Sequence, residues 1–205
     1  MVVRTYVPIE EYQAIYIAIP KTANTSIKGR LMEIKGLPGS DRPHLRESGL
    51  TNITPQAACQ RKDWFRFTFV RNPWDRALSL WSDKCGENSD VDLAQYGLPQ
   101  GISFENFVKT IAQFNDKYAE IHFKSQTQPL FHNGQFIPDF IGRFEHLEKD
   151  WARVLRLMGC DHQTHGLPHH RASSHGQYRA YYTPHLAQLI EDRYGDDIRL
   201  FGYRF

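Results

Sequence analysis

Ala14-Ile15-Tyr16-Ile17-Ala18-Ile19-Pro20-Lys21-Thr22-Ala23-Asn24-Thr25-Ser26 is the stretch that decides the fold. Its first six residues are apolar, include several β-branched side chains, and end at Pro20. A continuous apolar run of that length reads as a strand buried on both faces. From Thr25 the period changes: Ile27, Leu31 and Ile34 recur at i, i+4 and i+7, the spacing of one helix face. A strand running through a short polar loop into a helix is the opening of a βα unit.

The same order recurs downstream. Trp64 to Val70 reads as a second buried strand. Asn72-Pro73 then supplies an N-cap with proline at the first helical position, and Trp74, Ala77, Leu78 and Trp81 share one helical face. A third strand is expected over Asp139–Phe144, before a helix bearing Leu147, Trp151, Val154, Leu155 and Met158 that Gly159 stops. Ser103 starts another helix with Phe104, Phe107, Val108 and Ile111 on one side. Thr183-Pro184 starts the last long helix, through Leu186, Leu189, Ile190 and Tyr194. Strands alternating with helices predict an α/β fold around a central parallel sheet, which binds ligands at the carboxyl ends of its strands. Three longer irregular segments are expected, at Gly36–Ala57, Gly86–Ile102 and Cys160–Thr183.

With 205 residues, no repeat and no linker, the chain is expected to form one domain over 1–205. Lys+Arg (25) and Asp+Glu (23) nearly cancel, giving a net charge of +2, which argues against a nucleic-acid binder. The 40% hydrophobic content excludes a disordered chain. No run approaches the ~18 apolar residues of a membrane span, and the N-terminus shows no signal-peptide core. Three scattered cysteines (Cys59, Cys85, Cys160) without CxxC spacing give no disulfide framework or zinc knuckle, so a cytoplasmic location is expected.

The residues that follow the first strand carry chemistry. A helix N-terminus presents unpaired N–H groups and a partial positive charge. Small hydroxyl residues let an anion approach, and Lys21 adds a full charge, so the segment is a candidate phosphate or sulfate cradle. It is not a Walker A loop, because it has no glycine and its lysine stands at the start. Read alone, Thr25 or Ser26 could equally be only a cap and Lys21 only a solvated charge. After the second strand comes Arg71, where a guanidinium can fork onto phosphate oxygens. Ser79 lies eight residues further on, two helical turns along. A magnesium-dependent kinase would place a carboxylate at that strand end. The arginine argues against that chemistry, and no metal is expected.

Ile19-Pro20-Lys21-Thr22-Ala23-Asn24-Thr25-Ser26 resembles the 5′-phosphosulfate loop of sulfotransferases that use 3′-phosphoadenosine 5′-phosphosulfate (PAPS). Phe69-Val70-Arg71-Asn72-Pro73-Trp74-Asp75-Arg76-Ala77-Leu78-Ser79 resembles their 3′-phosphate motif. The likeness is to the carbohydrate branch, which includes the chondroitin and heparan 2-O enzymes. Phe140–Leu147 and the terminal run from Tyr181 to Tyr203 are similar to later segments of that branch. The resemblance implies a P-loop-like three-layer sandwich with PAPS as donor and a hydroxyl-bearing acceptor, most readily a sugar. It implies Lys21 on the phosphosulfate bridge. Thr22, Ala23, Asn24, Thr25 and Ser26 would lie around the 5′-phosphate, and Arg71 and Ser79 on the 3′-phosphate. The Golgi members' membrane anchor is not seen here, so a soluble enzyme is expected.

Sulfuryl transfer to an alcohol needs a proton acceptor. Between the two motifs stands one histidine, His44, with Glu47 as the carboxylate alternative. His162, His165, His169, His170 and His175 crowd one later segment without the spacing of a helical zinc motif, and read as a histidine-rich loop. Beside it, Arg171, Ser173, Ser174 and Tyr178 are candidates for closing over the donor. The rival readings are a kinase with a divergent P-loop and a non-catalytic nucleotide-binding module.

Overall fold

The computed structural model describes residues 5–38, 48–86, 93–160, 167 and 178–205. They fall into two compact units, one drawn from Met1–Val70 and Pro129–Ala172, the other from Arg71–Gln128 and Ser173–Phe205. The strands are β1 (Tyr6–Ile9), β2 (Ala14–Ile17), β3 (Phe65–Val70), β4 (Phe131–His132), β5 (Gln135–Phe136) and β6 (Phe140–Arg143). The helices are α1 (Asn24–Ile34), α2 (Pro55–Gln60), α3 (Pro73–Lys84), α4 (Phe104–Ile111), α5 (Leu147–Leu157), α6 (Pro184–Arg193) and α7 (Gly195–Phe201).

The first unit is built on a sheet of order β1-β2-β3-β6. β2 and β3 pair in parallel with Ile17 opposite Thr68, and β3 and β6 in parallel with Val70 opposite Arg143. All four residues of β2 are fully buried, which explains why its apolar run shows no alternation. β3 is likewise fully buried from Phe67 to Val70. Phe67 and Phe69 turn towards Trp151, and with Tyr16 they join Ile27, Leu31 and Met32 of α1 and Val154 and Leu155 of α5 in one core. Gly142 on β6 lies under the Phe69 ring, where a Cβ would come within 2.4 Å of a ring carbon. Arg66 forks onto Asp139, with Nε and Nη2 at 2.9 and 2.8 Å from its two oxygens, and so ties the start of β6 to β3.

The expected parallel sheet is in fact mixed, because β1 runs antiparallel to β2 at the edge, with Tyr6 opposite Ile17 and Pro8 opposite Ile15. Periodicity did not predict β1, since four residues containing a proline make a weak strand signal. Proline is nevertheless at home on an edge, where its missing N–H breaks no ladder. The hairpin of β4 and β5 also went unpredicted, although its Asn133-Gly134 tip, both residues at positive φ, is the usual two-residue turn signal.

The second unit packs Trp74, Ala77 and Leu78 of α3 against Phe107, Val108 and Ile111 of α4 and Leu186 and Ile190 of α6. Its caps are those the sequence predicts. Asn72 Oδ1 accepts from Trp74 N at 3.0 Å, Ser103 Oγ from Asn106 N at 3.2 Å, and Thr183 Oγ1 from Leu186 N at 3.2 Å. The expected last long helix is α6, which closes at Tyr194 (φ −115°), and a further helix, α7, which was not expected, begins at Gly195. Gly195 costs a continuing helix about 1 kcal/mol relative to alanine, whereas Asp196 and Asp197 suit a fresh N-terminus.

Candidate active site

Parallel pairing sets the carboxyl ends of β2 and β3 at one edge of the sheet. The chain leaves β2 there into residues 18–26 and leaves β3 there at Val70. The first of these exits has an unusual backbone. Lys21 (φ 69°) and Ala23 (φ 65°, ψ 21°) both lie in the left-handed region, with Thr22 between them. Left-handed residues other than glycine are uncommon, and pairing them with right-handed neighbours turns successive N–H groups into one concavity that suits an anion.

The concavity opens on the N-terminus of α1. Helices α2, α3, α4 and α6 are capped by Thr54, Asn72, Ser103 and Thr183, whereas α1, α5 and α7 have no side-chain cap, and the N-cap residue of α1 is Ala23, which has no side-chain acceptor to offer. Beside it Asn24 keeps its Oδ1 buried and without a hydrogen-bond partner. A half-turn of that amide would aim N–H donors there instead. Thr22 is fully buried and gives its hydroxyl proton to Ile19 O at 2.9 Å, so towards a ligand it can donate only its backbone N–H. Burial raises the pKa of the Tyr16 phenol, with Thr22 beside it in partial opposition. Lys21 is half-buried, Thr25 exposed and Ser26 buried. An orphaned polar atom, uncapped helical N–H groups and a left-handed loop fit the 5′ end of a nucleotide donor. Lys28, one turn into α1, is fully buried. The sequence reading passed over it because a lysine between apolar helix positions looks solvent-facing, and a fully buried lysine is rare.

The second exit belongs to the other unit. Arg71 is 3% exposed and donates from Nε to Asp75 Oδ2 at 2.7 Å, which fixes the plane of its guanidinium. Ser79 lies buried two turns along α3, and Asn72 Nδ2 donates to Tyr178 Oη at 3.2 Å. Of the residues considered for closing over the donor, Tyr178 lies against Asn72, in the segment that resembles the 3′-phosphate motif. Arg171, Ser173 and Ser174 lie outside the described residues, as do His44, Glu47 and the five histidines from His162 to His175. Among the described residues no group of three or more His, Cys, Asp or Glu could hold a metal, and no helix is long and apolar enough to cross a membrane.

The sequence missed a buried polar layer behind Arg71. Gln126 and Asp197 are both fully buried, and Arg76 nearly so. Arg76 Nη2 donates to His122 O at 2.9 Å and to Lys124 O at 3.0 Å, while Asp197 accepts from the backbone N–H groups of Gln126 and Thr127, each at 2.8 Å. Burial raises the Asp197 carboxyl above the ordinary range, and the Arg76 cation and those two N–H groups oppose the rise. Glutamine and aspartate in a loop and a terminal helix carry no periodic signal that could have revealed them.

The first unit thus offers a left-handed loop before a helix without a side-chain cap, and the second offers a buried arginine. Residues 4–204 match the sulfotransferase family, and the chain belongs to it. Over 95% of its length the chain is 22% identical to carbohydrate sulfotransferase 12 of Mus musculus, covering 58% of that protein. It is 22% identical over the same share to carbohydrate sulfotransferase 10 of Homo sapiens, covering 65%. A stretch of 95 residues is 35% identical to an uncharacterized protein of Archaeoglobus fulgidus, covering 45% of this chain and 66% of that one. The chain thus spans less than two thirds of the length of these curated relatives. No solved structure matches it.

Proposed function

We propose that this protein transfers the sulfuryl group of PAPS to a hydroxyl of a carbohydrate. The observation that carries the reading is the left-handed, glycine-free loop at Lys21 and Ala23, opening on an uncapped helix in a chain that matches the sulfotransferase family from end to end. When bound, PAPS supplies the activated sulfuryl group. The backbone of residues 22–26 and the α1 N-terminus hold its 5′-phosphate, and Lys21 neutralises charge on the departing phosphate. Arg71, with Ser79, takes the 3′-phosphate through charge-assisted bonds. His44 removes the proton from the acceptor hydroxyl, with Glu47 as the alternative base. The names of the relatives support a sugar acceptor.

Radiolabelled PAPS offered with a panel of oligosaccharides tests the reaction, and label should move to a sugar hydroxyl. Calorimetry tests the donor. Adenosine 3′,5′-bisphosphate should bind without metal and ATP with Mg²⁺ should not. The reverse order would favour the kinase reading. Bisphosphate binding without transfer to any acceptor would favour the non-catalytic one.

A further inference from the structure

The side chain of Gln126 makes two hydrogen bonds to one residue. Arg71 N–H donates to its Oε1 at 2.9 Å, and its Nε2 donates to Arg71 O at 2.8 Å. This is the bonding pattern of an opposed residue on an antiparallel strand, supplied by a side-chain amide at the point where the main chain has just left β3. Because it grips the peptide groups on both sides of Arg71 Cα, it restrains rotation about φ and ψ and fixes the direction of the Cα–Cβ bond. Asp75 fixes the other end of the side chain through Nε. A glutamine with no exposed surface is costly unless its polar atoms are bonded. Here each end of the amide is bonded to Arg71.

The clamp is itself anchored. Asp197 of α7 holds the N–H groups of Gln126 and Thr127, and Arg76 of α3 holds the carbonyls of His122 and Lys124. The segment between is thus gripped at one end by a buried anion and at the other by a buried cation, and it delivers its glutamine to the arginine. A solely structural tie would have served as well on any peptide of the loop. We propose that Gln126, anchored by Asp197, is a positioning residue that aims Arg71 at the donor's 3′-phosphate and so sets the preference for 3′-phosphorylated nucleotides. The inference rests on the assignment of Arg71 to that phosphate.

The test is the ratio of two affinities, for adenosine 3′,5′-bisphosphate and for adenosine 5′-monophosphate, measured by calorimetry on the full chain. Gln126→Met keeps the length of the side chain and removes both bonds. Its affinity for the bisphosphate should fall by up to about 10²-fold, the usual consequence of misplacing a positioned group by an ångström, while that for the monophosphate stays unchanged. Gln126→Glu keeps an acceptor for Arg71 N–H and loses the donor to Arg71 O, and its ratio should fall between the two. It also serves if the methionine variant does not fold. Equal losses for both nucleotides, or an unchanged ratio in a folded variant, would overturn the positioning role and leave the donor assignment standing. A native protein that does not distinguish the two nucleotides would overturn both.

Discussion

Replacing Ala23 with glycine should make this protein more stable, against the usual direction of such a change. Ala23 sits at φ 65°, ψ 21°, a conformation in which an L-residue's Cβ crowds the following carbonyl. That crowding costs about 1–2 kcal/mol, which glycine does not incur. Glycine loses more chain entropy on folding, about 0.5–1 kcal/mol relative to alanine. Ala23 is also the N-cap of α1, where glycine outranks alanine. The balance is a gain of roughly 0.5–1 kcal/mol, and for a chain of 205 residues each kcal/mol moves Tm by about 2–4 °C. Thermal melts and urea titrations of Ala23→Gly should therefore show a rise of roughly 1–4 °C and a higher midpoint with an unchanged slope. Ala23→Val should move the other way and further, because a β-branched side chain tolerates that region least. A glycine variant that melts below the parent, or a valine variant as stable as the parent, would refute the left-handed loop and with it the concavity assigned to the 5′-phosphate.

Arg71→Ala should weaken adenosine 3′,5′-bisphosphate binding by roughly 2–5 kcal/mol, as loss of a buried charge-assisted pair does, and calorimetry that finds native affinity would remove Arg71 from the site. Lys21→Ala should lower kcat by more than it weakens donor binding, since in the proposed reaction its charge meets the departing phosphate. Steady-state kinetics that show equal losses would reduce it to an anchor. His44→Ala should leave bisphosphate binding intact and cut turnover by about 10²–10⁴-fold, and native turnover in the mutant would end its role as base. Burial pushes the Asp116 carboxyl up, but Arg193, 2.5 Å away, and Ser125 hold it below its usual 3.8. The stability it contributes is therefore present above that pH and lost as pH falls through its folded value. Asp116→Asn should flatten that acid limb in urea midpoints measured against pH.

The parts of the site built on local pattern were legible in the sequence. Ile27, Leu31 and Ile34 marked α1, and Asn72-Pro73 marked α3 together with its cap. Arg71 was marked as the residue at the end of the second buried strand. What was not legible depends on contacts distant in sequence. Gln126 meets Arg71 across 55 positions and Asp197 meets Gln126 across 71, and neither side chain belongs to a periodic face. The left-handed turns at Lys21 and Ala23 were hidden for a different reason. The residue that ordinarily announces positive φ is glycine, and this loop has none.

The outer edge of β1 has a further consequence, for how this protein behaves in a crowded solution. On that edge the backbone of Tyr6 is already engaged, its N–H with Asn52 Oδ1 at 2.8 Å and its carbonyl with Ile53 N at 3.0 Å. The next outward residue, Pro8, has no N–H, and Lys35 Nζ approaches its carbonyl at 3.5 Å. An incoming strand would find no donor on Pro8 and a cation in its path. Exposed sheet edges are where native proteins recruit one another into polymers. Here a proline, an asparagine and a lysine close the β1 edge, so an incoming strand finds little of that backbone left to pair with.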